Sequence, residues 1–228
     1  MQKKLVAEAL GTFILVFAGT GAIVVDAITG AIGHVGIALT FGFVITALIY
    51  SFAHISGAHF NPAVTIGFWA MGEFERNKVL PYIAAQILGG VLASYSLYFL
   101  LLENIESMAQ VAYMGATLPR GSTFQAFGFE IILTFILMLV ISASAIHGKA
   151  IKAFAGIAIG FTVGLEAMFA GAITGASMNP ARSIAPAIVS GNLEGLWIYL
   201  TATVLGAILA SLIFVRFIKC TDPKQCED

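Results

Sequence analysis

The chain has 228 residues, of which 59% are hydrophobic and only 10% charged, with a mean hydropathy of +0.97; a soluble domain carries about a quarter charged residues, so lipid is the solvent here. A formal net charge of −1, with no run of Lys or Arg, excludes nucleic acid as a partner. His34, His54, His59 and His147 are too scattered for a metal site, and no nucleophile, base and orienting group fall together, so neither a cofactor nor an enzyme activity is expected.

Six apolar stretches are long enough to cross a core of about 30 Å, which needs roughly 20 helical residues. They are 5–25, 35–53, 79–101, 124–146, 151–171 and 196–218. Unpaired backbone is not tolerated in hydrocarbon, so long continuous stretches read as helices rather than barrel strands. The first follows Lys3 and Lys4 but carries Glu8 and is mirrored later in the chain, so it reads as retained structure and not as a cleaved leader. After the second comes His54-Ile55-Ser56-Gly57-Ala58-His59-Phe60-Asn61-Pro62-Ala63, then an apolar piece, 63–71, too short to span. The third carries Ala85, Gly89 and Ala93, the fourth Glu130, and the fifth Gly156, Gly160, Gly164, Glu166 and Ala167. Small residues at every fourth position let helices approach closely in lipid, so these glycines read as packing devices. Ala172-Ile173-Thr174-Gly175-Ala176-Ser177-Met178-Asn179-Pro180-Ala181 then repeats the earlier decapeptide, followed by a second short stretch, 181–190. The sixth span leads to a polar tail, 220–228, holding Cys220 and Cys226, a pair expected to be reduced if that end is cytoplasmic.

The two halves, about 5–101 and 124–218, match beyond the decapeptides, and together form one expected channel domain over 1–219. Glu8, Thr12 and Phe13 answer Glu130, Thr134 and Phe135, while Tyr82, Gly89 and Ser94 answer Tyr199, Gly206 and Ser211. Three crossings per half is odd, so the second copy is inverted, an arrangement that sets a solute pathway at the interface of the halves. Lys3, Lys4, Arg76, Lys78, Lys149, Lys152, Arg216, Lys219 and Lys224 fall on one side, against Arg120 and Arg182 on the other. The positive-inside rule makes that basic side, with both termini, cytoplasmic.

Asn suits a helix N-cap and Pro the first helical position, so 63–71 and 181–190 read as half-helices whose N-termini meet at the midplane. Each such end carries positive partial charge, and Asn61 and Asn179 can either cap their own helices or add amide donors. Such a centre repels cations and protons while accepting a neutral molecule with an oxygen lone pair. A buried Arg182 calls for water or carbonyls around it and so should face an aqueous path. Glu166, near the outer end of its span, reads as snorkelling outward or meeting another subunit, or else as holding Arg182.

The chain resembles the aquaporin, or major intrinsic protein, family. The resemblance rests on Ser56 through Thr65 with Asn61-Pro62-Ala63, on Thr174-Gly175 and Asn179-Pro180-Ala181-Arg182-Ser183, and on Glu8 and Glu130. It implies an all-α integral membrane fold, an hourglass of six transmembrane helices and two re-entrant half-helices built as an inverted internal repeat, usually as a homotetramer in the plasma membrane. It also implies a passive path for water, with Glu8 and Glu130 bracing the re-entrant loops and a narrow filter formed by Phe41, Ala167, Ala176 and Arg182. Water-selective relatives carry His where Ala167 stands, so this filter is expected to be unusually open and to pass small neutral solutes. Ser183 and Ala187 follow the water-channel pattern instead, where a glycerol channel would have Asp. The alternatives are a channel mainly for glycerol or similar uncharged solutes and, from another class, an ion-coupled secondary transporter.

Overall fold

The computed structural model describes residues 1–220, and among these there are helices and turns but no strand. Six helices have the length and apolar character to cross a membrane. They are α1 (Gln2–Thr29), α2 (Gly33–Ser56), α4 (Arg76–Leu100), α5 (Thr123–Ile141), α6 (Ala155–Thr174) and α8 (Leu196–Ile213). The two short helices are α3 (Pro62–Ala70) and α7 (Pro180–Ser190); at 1.5 Å per residue each reaches about 15 Å, half the core. Both α5 and α8 run on into a single π-helical turn, Ser142–Ile146 and Phe214–Ile218.

Helix ends follow local chemistry. α2 stops at Gly57 with φ 93° and α6 at Gly175 with φ 85°, left-handed caps that glycine reaches without strain. α5 starts where the Ser122 hydroxyl accepts the Gln125 amide at 3.1 Å.

Packing depends on absent side chains. A Cβ on Gly42 would stand 2.8 Å from the Gly160 carbonyl oxygen, and one on Gly160 2.6 Å from that of Gly42, so α2 and α6 cross with backbones in contact. Gly89 of α4 meets the Ala9 carbonyl of α1, and its counterpart Gly206 of α8 meets the Ile131 carbonyl of α5. Such van der Waals contact replaces the hydrophobic drive that lipid does not supply. Phe43, Phe99, Phe161 and Leu165 stay exposed on the outside of the bundle.

The halves interlock. α3 packs on α8 of the second half, where the Ser211 hydroxyl donates to the Gly67 carbonyl at 2.9 Å, and α7 packs on α4 of the first. Past the ends of α5 and α8 the Gly148 amide donates to the Cys220 carbonyl at 2.6 Å. Cys220 is disulfide-bonded, contrary to the expected thiol; Cys226 lies outside the described residues.

Candidate functional site

Each half-helix begins with the same capping chemistry. Asn61 Oδ1 accepts from the amides of Ala63 at 2.8 Å and Val64 at 3.4 Å. Asn179 Oδ1 accepts from those of Ala181 at 3.0 Å and Arg182 at 3.4 Å. The amide nitrogens cross over: Asn61 Nδ2 donates to the Met178 carbonyl at 2.7 Å, and Asn179 Nδ2 to the Phe60 carbonyl at 2.9 Å. Capping and donation are therefore combined, since each NH2 keeps a second hydrogen for the cavity that both Asn residues line.

The loops leading into the half-helices share one strained conformation. Ala58 and Phe60 have φ of 52° and 49°, and Ala176 and Met178 have 41° and 53°. Non-glycine residues hold such angles at a cost of about 1–3 kcal/mol each and only when surroundings enforce them. The enforcing groups are Glu8 and Glu130, both fully buried. Glu8 Oε1 accepts from the Ser56 hydroxyl at 2.6 Å and the His59 amide at 3.0 Å, and Oε2 from the Phe60 amide at 2.7 Å and Gln86 Nε2 at 2.8 Å. Glu130 Oε1 accepts from the Thr174 hydroxyl at 2.7 Å and the Ser177 amide at 2.9 Å, and Oε2 from the Met178 amide at 3.0 Å. Tyr82 and Tyr199 complete the frame by donating to the Ser56 and Thr174 carbonyls at 2.9 and 2.7 Å.

A cavity of about 360 Å³ runs along the interface of the halves. Its lining includes Phe41, Ala167, Ala176 and Arg182, the two Asn residues, and Tyr50, His54 and Lys152. Leu15, Val64, Leu137, Ile159 and Val163 give it an apolar wall, to which His59 and Ser177 add polar groups. His59 is itself fixed, sharing a hydrogen bond with Thr65 Oγ1 at 3.1 Å and lying against the rings of Phe68, Phe74 and Tyr82.

Arg182 is 2% exposed. Its Nη1 donates to the Gly115 carbonyl at 2.7 Å and its Cζ stands 5.1 Å from the centre of the Phe41 ring, while Nε has no partner among the described residues. The carbonyl is presented by a left-handed turn, Ala112, Tyr113 and Met114 at φ 49–59° followed by Gly115 at 76°. Side chains behind the turn hold it in place: Met114 is fully buried in a cluster with Val24, Leu97 and Val111. Sequence reasoning missed this turn, Gln86 and the role of the two tyrosines; only the repeated Tyr82 and Tyr199 carried a signal. Glu166 corrects an expectation, for it neither snorkels nor faces outward: it is 1% exposed and lies inside the protein, with no donor on either carboxylate oxygen among the described residues.

A family model described as "Major intrinsic protein" matches residues 1–214. Nodulin-26 of Glycine max is 47% identical over 226 residues, 99% of this chain and 81% of that protein. A probable aquaporin of NIP type from Nicotiana alata is 44% identical over 220 residues, covering 96% and 79% of the two chains. Among solved structures, the aquaglyceroporin from Plasmodium falciparum superposes with a TM-score of 0.85 at 27% identity, over 95% of this chain and 96% of that one.

Proposed function

The chain belongs to the major intrinsic protein family, and from that premise we propose that it is a passive transmembrane channel for water whose wide filter also admits small neutral solutes. The observation that carries the reading is the waist of the cavity, where two opposed half-helices point their N-termini at Asn61 and Asn179, each with one amide hydrogen uncommitted. A water oxygen can accept there and pass on, whereas a proton or metal cation meets the positive ends of two helix dipoles. Arg182 adds a fixed positive charge at the part of the cavity proposed as filter, with Phe41, Ala167 and Ala176 as its other walls. Two methyl groups in that ring favour the admission of glycerol-sized solutes, and the structural likeness to an aquaglyceroporin agrees with that.

In this reading Glu8 and Glu130 act as braces. An ion-coupled transporter would need one of them to take up and release a cation or proton, yet Glu8 already accepts four hydrogen bonds and Glu130 three. The assembly is a homotetramer in the plasma membrane with both termini in the cytoplasm. The decisive experiment uses purified protein in liposomes, light scattering after water, glycerol and urea gradients, and an internal pH dye. Fast water flux without proton leak is expected. Solute flux that depends on an ion gradient, or the absence of any water flux, would overturn the proposal.

A further inference from the structure

The two halves fill one buried position by different means. Counted from Asn61 and Asn179, Thr65 answers Ser183 and His59 answers Ser177. Thr65 Oγ1 receives an amide hydrogen of Gln86, on α4, at 3.0 Å and meets His59 Nδ1 at 3.1 Å. In the register that pairs Tyr82 with Tyr199, the α8 residue answering Gln86 is Thr203, whose hydroxyl turns back to the Tyr199 carbonyl at 2.6 Å. Ser183 is reached instead from the segment between α4 and α5, where the Thr117 hydroxyl donates to its Oγ at 2.8 Å. A loop side chain takes the place of a helix side chain.

Each hydroxyl has one hydrogen, and that gives the bonds a direction. Ser177 Oγ donates to the Asn179 carbonyl at 3.0 Å and accepts the Asn179 amide at 3.2 Å. Its 2.6 Å contact with Ser183 is therefore a bond that Ser183 donates, and Ser183, its hydrogen committed, accepts from Thr117. The chain runs one way, from Thr117 to Ser183 to Ser177 to the Asn179 carbonyl, and hydrogen bonds in series strengthen one another. All three hydroxyl residues are buried, while Ser177 and Asn179 line the cavity.

Thr117 is itself seated against the second re-entrant loop. A Cβ on Gly175 would stand 3.1 Å from both its Cα and its Cγ2, so the glycine that caps α6 also makes room for Thr117. Two residues before it, Gly115 gives its carbonyl to Arg182, and three after it the Arg120 amide donates to the Ile173 carbonyl at 3.0 Å. Segment 115–120 thus touches both the arginine and the loop that carries Ala176.

We propose that Thr117 is a positioning residue for solute selectivity. Through Ser183 and Ser177 it fixes the Asn179 end of the second half-helix, and together with the Gly115 carbonyl it sets Arg182 relative to Ala176. The effect on flux rests on the channel reading above, whereas the hydroxyl chain holds whatever the cavity conducts.

Thr117→Val keeps the methyl group on Gly175 and removes the donor, while Thr117→Ser keeps the donor. In liposomes Thr117→Val should shift the ratio of glycerol to water permeability by about threefold or more, the size expected from one hydrogen bond, and Thr117→Ser should retain the parent's ratio. Melts in detergent test the chain without reference to transport. Thr117→Val and Ser183→Ala break the same chain, so the double variant should melt close to the lower of the two single variants. A midpoint loss in the double variant equal to the sum of the single losses would overturn the proposal. So would a folded Thr117→Val with the parent's ratio, or a Thr117→Ser that shares the shift of Thr117→Val. If Thr117→Val does not fold, Thr117→Ala replaces it in both measurements. If the parent conducts no glycerol, the melts decide alone, so a failed channel reading and a failed positioning role are told apart.

Discussion

Ala167→His tests the proposed filter where it is most open. Ala167 and Ala176 line the cavity with Phe41 and Arg182, and the Arg182 guanidinium already lies 5.1 Å from the Phe41 ring centre, so the remaining width is on the side of the two methyl groups. An imidazole there takes up the room a three-carbon solute would need. Forcing such a solute past it resembles overpacking, at a cost of about 1–3 kcal/mol. At 1.36 kcal/mol per tenfold, glycerol and urea permeability should fall by about 5- to 160-fold. A single file of water needs less width and finds a new hydrogen-bonding nitrogen, so its permeability should fall by less than about threefold, a barrier change well under 1 kcal/mol. Stopped-flow light scattering on liposomes with matched protein content measures both. Equal glycerol flux in parent and folded variant would remove residue 167 from the constriction, and a parent closed to glycerol and urea alike would refute the open-filter reasoning.

Asn179→Asp should raise proton leak at least tenfold in a dye-loaded liposome while water flux changes far less, because a carboxylate reverses the field at the waist; an unchanged leak counts against that account. Glu130→Ala strands the Ser177 and Met178 amides and the Thr174 hydroxyl, each at about 1–3 kcal/mol, and should lower the unfolding midpoint in detergent by roughly 10–20 °C. Gly206→Ala drives a Cβ into the Ile131 carbonyl and should destabilise, whereas Gly128→Ala, with nothing within 4 Å of its Cβ, should be neutral in the same melt. Among the described residues no cysteine lines the cavity, so mercurials should leave water flux intact; rapid inhibition reversed by added thiol would mean that the path runs elsewhere.

The sequence revealed the helices because lipid makes their signal simple: a span must be long and apolar, and Asn-Pro starts a helix wherever it falls. Doubling of the motif revealed the inversion. What it hid is what depends on azimuth or on distant partners. α6 is apolar nearly all round, so no stripe told which way Glu166 points, and only the packed helices show that it faces inward. The Gly115 turn has no copy in the first half, and its left-handed angles belong to alanine, tyrosine and methionine, residues that carry no signal for them. The crossed Asn bonds join residues 117 and 119 apart, beyond any local pattern.

Those two crossed bonds also set an order of events. Each half supplies one donor and one acceptor, and neither can use its own, so a first half alone in the bilayer would hold an Asn61 amide and a Phe60 carbonyl with nothing to meet. Loop closure over such separations comes late in folding, after local helices have formed. The six spans can therefore insert one after another as the chain emerges, but the waist closes only when the last half-helix arrives, and permeability begins with that closure.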